Sequence, residues 1–182
     1  MAKIRMVRHG KAAAGFDGHL DPGLDDLGRS QAEAVAQLLQ PVGPLPVFSS
    51  PLARAQETAA PLAQLWQEQP VIEPRVAEIP SPIADLAARS TWLRGVMQER
   101  WSNLNDDLKS WRRDMIECIT GFEGDCVVFC HFIAINVIVG AATGADEMIS
   151  FRPDNGSVTI LTTTADTIEL VELGREADTR VN

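Results

Sequence analysis

The segment Lys3–Ala12, KIRMVRHGKA, joins a short apolar run to an arginine, a histidine and a glycine. Its apolar half predicts a buried strand over Lys3–Val7. Arg8 and His9 follow that strand directly. In sheets of α/β proteins, ligands bind beyond the carboxyl ends of the strands. The segment therefore predicts that Arg8 and His9 lie beside a ligand.

A second histidine stands in the same relation to another strand. The segment Asp125–Cys130, DCVVFC, is a continuous apolar run, which is typical of a strand buried on both faces. His131 follows it at once. If both strands belong to one parallel sheet, His9 and His131 meet at the same edge.

The rest of the chain alternates short β-branched or apolar runs with helical spacing. This alternation predicts an α/β fold with a mostly parallel central sheet and helices on both faces. The further predicted strands are Pro46–Pro51, Pro70–Val76, Ser157–Leu161 and Thr167–Glu172. The predicted helices run from Asp25 or Asp26 to Gln40, from Pro51 or Leu52 to Trp66, over Leu86–Trp101, over Leu104–Ile119 and from Phe132 onward.

Length and composition bound the class of protein. The chain has 182 residues, which predicts a single domain over 1–182. Its net charge of −9 argues against a nucleic-acid partner, whose footprint is basic. The three cysteines are expected to be reduced, and the sequence has neither a long apolar span nor a signal-like start. We therefore expect a cytoplasmic protein with no membrane partner.

Residues with related chemistry follow four of the predicted strands. They are Arg8 with His9, Arg54, Glu78 and His131. Arginine offers a planar fork of donors that suits phosphate oxygens, and a neutral histidine is a competent nucleophile. A carboxyl group can protonate a leaving alcohol. Together these residue types indicate phosphoryl chemistry.

Two segments carry a resemblance to a known family. VRHGKA and SSPLARAQETA, residues 7–12 and 49–59, resemble the hallmarks of the histidine phosphatase superfamily, also called phosphoglycerate mutase-like. LDDLGRSQA, VVFCHFIAIN and FRPDNGSVTIL look like further segments of that family, so the resemblance spans nearly the whole chain. It implies the three-layer sandwich of that family, with no cofactor and no metal.

The resemblance also implies roles for the residues. His9 becomes the nucleophile that is phosphorylated. Arg8, Arg54 and His131 clamp the phosphoryl group of a small phosphorylated substrate. The residue after the second histidine, Phe132, contributes a backbone amide.

The general acid is the position that the resemblance fixes least. Glu78 is our choice, as proton donor to the leaving group and later as base for water. Glu73 and Asp85 are the alternatives.

Three positions depart from the family pattern. Lys11 stands where many members have Glu or Gln, and we place it among the substrate-binding residues at the edge of the pocket. Gly15 stands where many have an asparagine that contacts phosphate, and Phe132 where many have glycine. With Lys11 and Gly15, one usual phosphate contact is missing, whereas Phe132 affects the shape of the pocket and not the reaction.

The resulting prediction is a metal-independent phosphomonoester hydrolase that works through phosphohistidine. Alternatives are a mutase of the phosphoglycerate type, a protein phosphohistidine phosphatase and a binding module for phosphorylated ligands without turnover. A metal site at Cys126, Cys130 and His131 is disfavoured, because their spacing matches no zinc pattern. The sequence predicts neither the individual substrate nor the oligomeric state.

Overall fold

The computed structural model describes residues 1–15 and 19–177. These residues build a six-stranded sheet with the order β3-β2-β4-β1-β5-β6. The strands are β1 Ala2–Arg8, β2 Val47–Ser49, β3 Val71–Ile72, β4 Cys126–Cys130, β5 Val158–Thr163 and β6 Ile168–Glu172. The first four run parallel to one another, whereas β5 is antiparallel to both of its neighbours.

The helices connect the parallel strands, as the alternating pattern predicts. They are α1 Asp26–Leu39, α2 Ala53–Trp66, α3 Leu86–Val96, α4 Asp106–Thr120 and α5 Phe132–Thr143. Asp25 caps α1, because its side chain accepts the N–H of Gly28 at 2.7 Å. Asn105 caps α4 in the same way through the N–H of Leu108. β5 and β6 form an antiparallel pair.

The helices lie on both faces of the sheet. On one face, Val35 of α1 and Leu62 of α2 pack against Val127 and Phe129 of β4. The other face carries α4 and α5, whose apolar residues pack against Ile4 and Met6 of β1 and against Val128 of β4. The predicted fold class, a mostly parallel sheet between two helical layers, is therefore confirmed.

The predicted elements differ from the structure mainly in length. The strand expected over Pro70–Val76 is paired only at Val71–Ile72, and Pro74–Val76 forms a 3-10 turn instead. Proline lacks the N–H that a ladder needs, so Pro74 ends the strand. The helix expected over Leu86–Trp101 ends at Val96. None of the helices in residues 1–15 and 19–177 is long and apolar enough to cross a membrane.

The register of the parallel strands brings three polar residues side by side. Arg8 pairs with Cys130 across β1 and β4, so His9 and His131 are the next residues along. Ser49 pairs with Phe129 across β2 and β4, and Ser50 follows. β2, β4 and β1 are neighbours in this order. Ser50, His131 and His9 therefore stand at one sheet edge, each just past the carboxyl end of its strand.

Candidate active site

His9 lies at the end of β1 with 7% of its surface exposed. Its main-chain N–H donates to the carbonyl of Cys130 at 3.0 Å, which holds it to the neighbouring strand β4. Its Nδ1 lies 2.7 Å from the carbonyl oxygen of Gly10. A carbonyl oxygen only accepts, so the ring proton sits on Nδ1. Nε2 is therefore left with its lone pair, as a nucleophile requires.

Arg54 faces that lone pair from the first turn of α2. Its Nε–H donates to Nε2 of His9 at 3.2 Å, and its side chain is buried. Burial and the positive charges of Arg54 and Arg8 lower the pKa of His9 to about 3. His9 is thus neutral and nucleophilic over the whole physiological pH range.

The loop after His9 is fixed from two sides. The hydroxyl of Thr58 accepts the N–H of Gly10 at 2.9 Å and donates to the carbonyl of Arg54 at 2.6 Å. The side-chain amide of Asn155 donates to the carbonyl of His9 at 2.9 Å. Gly10 itself packs against Gly28 of α1, whose carbonyl oxygen a Cβ at Gly10 would strike. The glycine is needed for this close approach.

His131 is fully buried between its strand and α5. Its Nε2 lies 2.7 Å from the hydroxyl of Ser50, and its Nδ1 has no hydrogen-bond partner among the described residues. The centroids of the His9 and His131 rings are 5.2 Å apart. Burial, His9 and the two arginines hold the pKa of His131 well below its ordinary value. This ring, too, is neutral.

Arg8 is held by its neighbours, and one of its buried donors makes no hydrogen bond to the described residues. Its NH1 donates to the carbonyl of Pro153 at 2.8 Å. Its guanidinium carbon lies 5.1 Å from the centroid of the Phe132 ring, a cation–π contact. Its buried Nε has no hydrogen-bond partner within the described ranges. Phe132 thus supports an arginine of the site.

Glu78 reaches the same sheet edge from the loop that follows β3. Its carboxylate accepts the N–H of Ile79 at 3.1 Å and that of Ile133, in the first turn of α5, at 3.3 Å. Burial raises the pKa of Glu78, although these N–H donors, Arg54 and Arg8 work against the shift. Glu78 is therefore a carboxyl group that its surroundings bias toward the protonated form.

The two alternative carboxylates have other partners. Glu73 pairs with Arg75 at 2.7 Å and caps the 3-10 turn, and Arg75 lowers the pKa of Glu73. Asp85 caps α3 by accepting the N–H of Ala88 at 2.8 Å. Neither feature suits a proton donor. Among the three carboxylates the geometry favours Glu78.

Lys11 lies at the site with its charge already paired. Its ammonium is 3.0 Å from the carboxylate of Asp25, the residue that caps α1. Its main-chain N–H donates to the side chain of Gln31 at 2.8 Å. Lys11 therefore ties the loop to α1 at the rim of the site.

A cavity of about 460 Å³ opens over this sheet edge. Four of the predicted site residues line it, namely Arg8, His9, Lys11 and Arg54. Glu78, His131 and Phe132 do not line it. His131 lies next to the cavity residue His9 because β4 pairs with β1. Glu78 is held at this edge by the N–H of Ile133, and Phe132 contacts the cavity residue Arg8.

Residues that the sequence did not predict as site residues also line the cavity. Asn155 lines it, as does Arg89, a half-buried residue of α3 whose side chain makes no hydrogen bond or ion pair to other described residues. His19 is exposed but lines the cavity as well. The position of Ser50 just after a strand could have indicated it, whereas no local pattern indicates Arg89, because α3 follows a loop and no strand register sets its place.

Within residues 1–15 and 19–177, no three His, Cys, Asp or Glu side chains come together in a way that could hold a metal ion. Cys118, Cys126 and Cys130 are free and buried. The site instead combines an unprotonated histidine nitrogen that accepts an arginine N–H, two guanidinium groups, a second neutral histidine and a carboxyl group whose surroundings favour its protonated form. This set can bind a phosphoryl group, attack it and protonate its leaving group.

Comparison with known proteins agrees with this chemistry. A family model described as the histidine phosphatase superfamily (branch 1) matches residues 4–176. A glucosyl-3-phosphoglycerate phosphatase of Mycolicibacterium vanbaalenii is 39% identical over 80 residues, which are 42% of this chain and 36% of that protein. The protein named "Probable phosphoglycerate mutase GpmB" of Yersinia pestis is 30% identical over 129 residues, 68% of this chain and 53% of the other. The chain thus aligns with about half or less of these relatives.

Solved structures share the fold over almost the full chain. A mycobacterial glucosyl-3-phosphoglycerate phosphatase bound to VO3 superimposes with a TM-score of 0.74 at 22% identity and covers 97% of this chain and 100% of its own. A candidate alpha-ribazole-5'-P phosphatase from Escherichia coli K-12 gives 0.76 at 22% identity, with 97% and 98% coverage. At this identity the likeness establishes the fold.

Proposed function

This chain belongs to the histidine phosphatase superfamily, and on that premise we propose that it hydrolyses small phosphomonoesters through a phosphohistidine intermediate. The observation that carries the proposal is the state of His9. Its Nδ1–H is held by the Gly10 carbonyl, and its bare Nε2 faces Arg54 at the floor of the cavity. A structural histidine at a strand end needs neither feature.

In the first step, Nε2 of His9 attacks phosphorus. The bond between phosphorus and the leaving oxygen breaks, and the carboxyl of Glu78 gives its proton to that oxygen. The substrate's phosphoryl oxygens take over the Nε–H of Arg54, which frees the lone pair for attack. Arg8 and Arg54 balance the charge that spreads over the transferred group.

In the second step, water replaces the alcohol. The Glu78 carboxylate takes a proton from water, and the water oxygen attacks the phosphohistidine. Inorganic phosphate leaves, and His9 and the protonated Glu78 are restored. Because the same carboxyl acts as acid and then as base, its raised pKa is useful in both steps.

The cavity supports a small, anionic substrate. Its volume of about 460 Å³ lies in the range of metabolite sites. Among its lining residues, Arg89 has no ion-pair partner in the described part of the chain, whereas Lys11 is neutralised by Asp25. We infer that the substrate carries a second polar or anionic group that reaches Arg89.

A trapping experiment tests the proposal. The protein is mixed with a ³²P-labelled aryl phosphate in EDTA, quenched, and the adduct is located by peptide mass spectrometry. We expect an acid-labile, base-stable phosphoryl group on His9, which the His9→Ala variant lacks together with turnover. The His19→Ala variant, matched in residue type, should still form the adduct. Binding without turnover would identify a binding module, and turnover by His9→Ala would refute the mechanism.

Phosphoryl transfer is the second candidate, because a relative aligned over 68% of the chain is named a probable mutase. In a mutase the phosphohistidine passes its group to a second hydroxyl and not to water. Incubation with 3-phosphoglycerate distinguishes the two reactions. Release of inorganic phosphate supports the hydrolase, and formation of 2-phosphoglycerate without phosphate release supports the mutase.

Two expectations from the sequence complete the proposal. We propose that the chain works as one domain over 1–182, since its described strands all join one sheet. We further propose a cytoplasmic location, because all three cysteines are free and buried, as suits a reducing compartment.

A further inference from the structure

The hydroxyl of Ser50 makes a contact that the proposed reaction does not use. Ser50 and His131 are both fully buried, and the Ser50 Oγ lies 2.7 Å from Nε2 of His131. The same Oγ accepts the main-chain N–H of Leu52 at 3.2 Å. The hydroxyl therefore has two neighbours and only one proton to give.

Counting donors and acceptors decides where that proton goes. Leu52 provides a donor, so one lone pair of Oγ is occupied. If Nε2 of His131 carried a proton, Oγ would accept twice, and its own proton would be left without an acceptor in a buried site. If Nε2 is bare, the hydroxyl donates to it and every group at this contact is satisfied. Unsatisfied buried polar groups cost free energy, so the second arrangement is favoured.

The other ring nitrogen then carries the proton. In neutral imidazole one nitrogen is a donor and the other an acceptor. Nδ1 of His131 is buried without a partner among the described residues, and the ring stands 5.2 Å from the ring of His9. A donor with no protein acceptor beside the nucleophile suits an oxygen of a bound phosphoryl group.

We propose that Ser50 is a positioning residue that fixes the tautomer of His131, so that His131 offers an N–H at Nδ1 to the phosphoryl group. The inference rests on the proposed function for the identity of that ligand. Ser50 acts through His131 and does not touch the substrate. His9 and His131 then have the same tautomer, with the proton on Nδ1. The Gly10 carbonyl determines it for His9, and the Ser50 hydroxyl determines it for His131.

The tautomer is measurable without any assay of activity. The chain has three histidines, so protein labelled with ¹⁵N at histidine gives three ring systems in long-range proton–nitrogen spectra. His9→Gln and His19→Gln variants assign the signals by elimination. At neutral pH we expect a protonated Nδ1 and a bare Nε2 for His131. A proton on Nε2 of His131 in the unmodified chain would overturn the proposal.

Two substitutions test the cause. In Ser50→Ala, the Nε2-protonated form of His131 should gain population, and kcat should fall about ten-fold, the value of one hydrogen bond. Ser50→Thr keeps the hydroxyl and should restore both properties. Ser49→Ala is the matched control, since Ser49 is equally buried and its hydroxyl donates only to the Ser50 carbonyl at 2.9 Å. It should change neither the tautomer nor kcat.

The outcomes separate this inference from the proposed function. An unchanged His131 tautomer in Ser50→Ala refutes the role of Ser50, even if the phosphohistidine forms normally. If no phosphohistidine forms in the trapping experiment but the spectra give the expected tautomers, the arrangement stands and the hydrolase proposal fails. Should Ser50→Ala not fold, the spectrum of the unmodified chain still decides.

Discussion

The Nε–H of Arg54 donates to Nε2 of His9 across 3.2 Å. The two residues lie 45 positions apart in sequence. They meet because α2 begins just after β2, and only β4 separates β2 from β1, the strand that ends before His9. This contact orients the Nε2 lone pair of His9, the proposed nucleophile, before substrate arrives. It also adds to the low pKa of His9, since a positive neighbour disfavours a second positive charge.

Replacing Arg54 with lysine tests this relationship. An ammonium group keeps the charge but loses the planar fork that can face His9 and two phosphoryl oxygens together. We expect Arg54→Lys to reduce kcat/KM for an aryl phosphate by about 10²–10³-fold, the effect of removing one preorganised donor. Arg113→Lys, at an exposed position of α4, is the control and should leave the steady-state kinetics unchanged. If both variants have the same kinetics as the unmodified protein, Arg54 does not contribute to the reaction.

Phe132 offers a test of the support for Arg8. Phe132→Leu removes the ring face 5.1 Å from the Arg8 guanidinium but keeps the backbone amide. A desolvated cation–π contact contributes about 1–2 kcal/mol, so the inhibition constant of inorganic phosphate should rise about five- to thirty-fold. Phe132→Trp should preserve most of the affinity. The control Phe122→Leu alters a half-buried ring that packs on Phe48. A Phe132→Leu protein that binds phosphate normally would contradict the contact's role.

The neutral histidines predict how stability depends on pH. The pKa of His9 is about 3 in the folded chain against an ordinary value of 6.5, so between these values the unfolded chain binds more protons. Stability should therefore rise with pH in this window and fall on acidification. By linkage, His9 alone removes about 2 kcal/mol of unfolding free energy between pH 7.5 and pH 5. His131 acts in the same direction.

Chemical denaturation of the unmodified chain and of His9→Gln, at several pH values, measures this contribution. The difference in unfolding free energy between the two proteins should shrink by about 2 kcal/mol from pH 7.5 to pH 5. Glu78 has the opposite sign, because its raised pKa makes the folded state hold a proton that the unfolded state releases above its ordinary value. Comparing two proteins that share Glu78 cancels that effect. A pH-independent difference would mean that His9 is not buried in its neutral form.

Positions at strand ends were predictable from sequence because strand burial is a local signal. The apolar runs before His9 and His131 mark both strands, and parallel pairing then brings the two residues to one edge. Ser50 has the same relation to β2, so its position at the sheet edge was predictable in the same way. The position of Arg89 was not predictable in this way. It lies on α3, which follows a loop, and no strand register determines where that helix lies.

The buried face of α1 shows a second limit. Leu27 and Leu38 are the large apolar residues at helical spacing from Val35, yet Leu27 is 53% and Leu38 65% exposed. The buried residues of α1 are Gly28, Ala32, Val35, Ala36 and Leu39. Small residues let α1 approach the Gly10 loop and α2 closely. A pattern based on large apolar residues does not identify a buried helix face that is made of small residues, which allow close packing against neighbouring segments.

Glu78→Gln gives the sharpest test of the acid. The two carboxylate oxygens of Glu78 accept the N–H groups of Ile79 and Ile133 separately, so glutamine keeps the shape and only one of these two hydrogen bonds. Its amide cannot give a proton to the leaving oxygen. An alkyl leaving group needs that proton far more than a nitrophenolate does. We expect kcat for a glycerol phosphate to fall about 10²–10⁴-fold, and the phosphorylation rate with p-nitrophenyl phosphate, measured as a burst, to fall much less.

The remaining carboxylates serve as matched controls for that experiment. Glu73→Gln and Asp85→Asn alter groups held in caps and an ion pair, so both variants should show the same small change for alkyl and aryl esters. The Glu78 acid also predicts that kcat/KM for alkyl esters declines as pH rises through its elevated pKa, and that Glu78→Gln abolishes this limb. If Glu78→Gln slows both esters equally and keeps the alkaline limb, the proton comes from another group and Glu78 only supports α5.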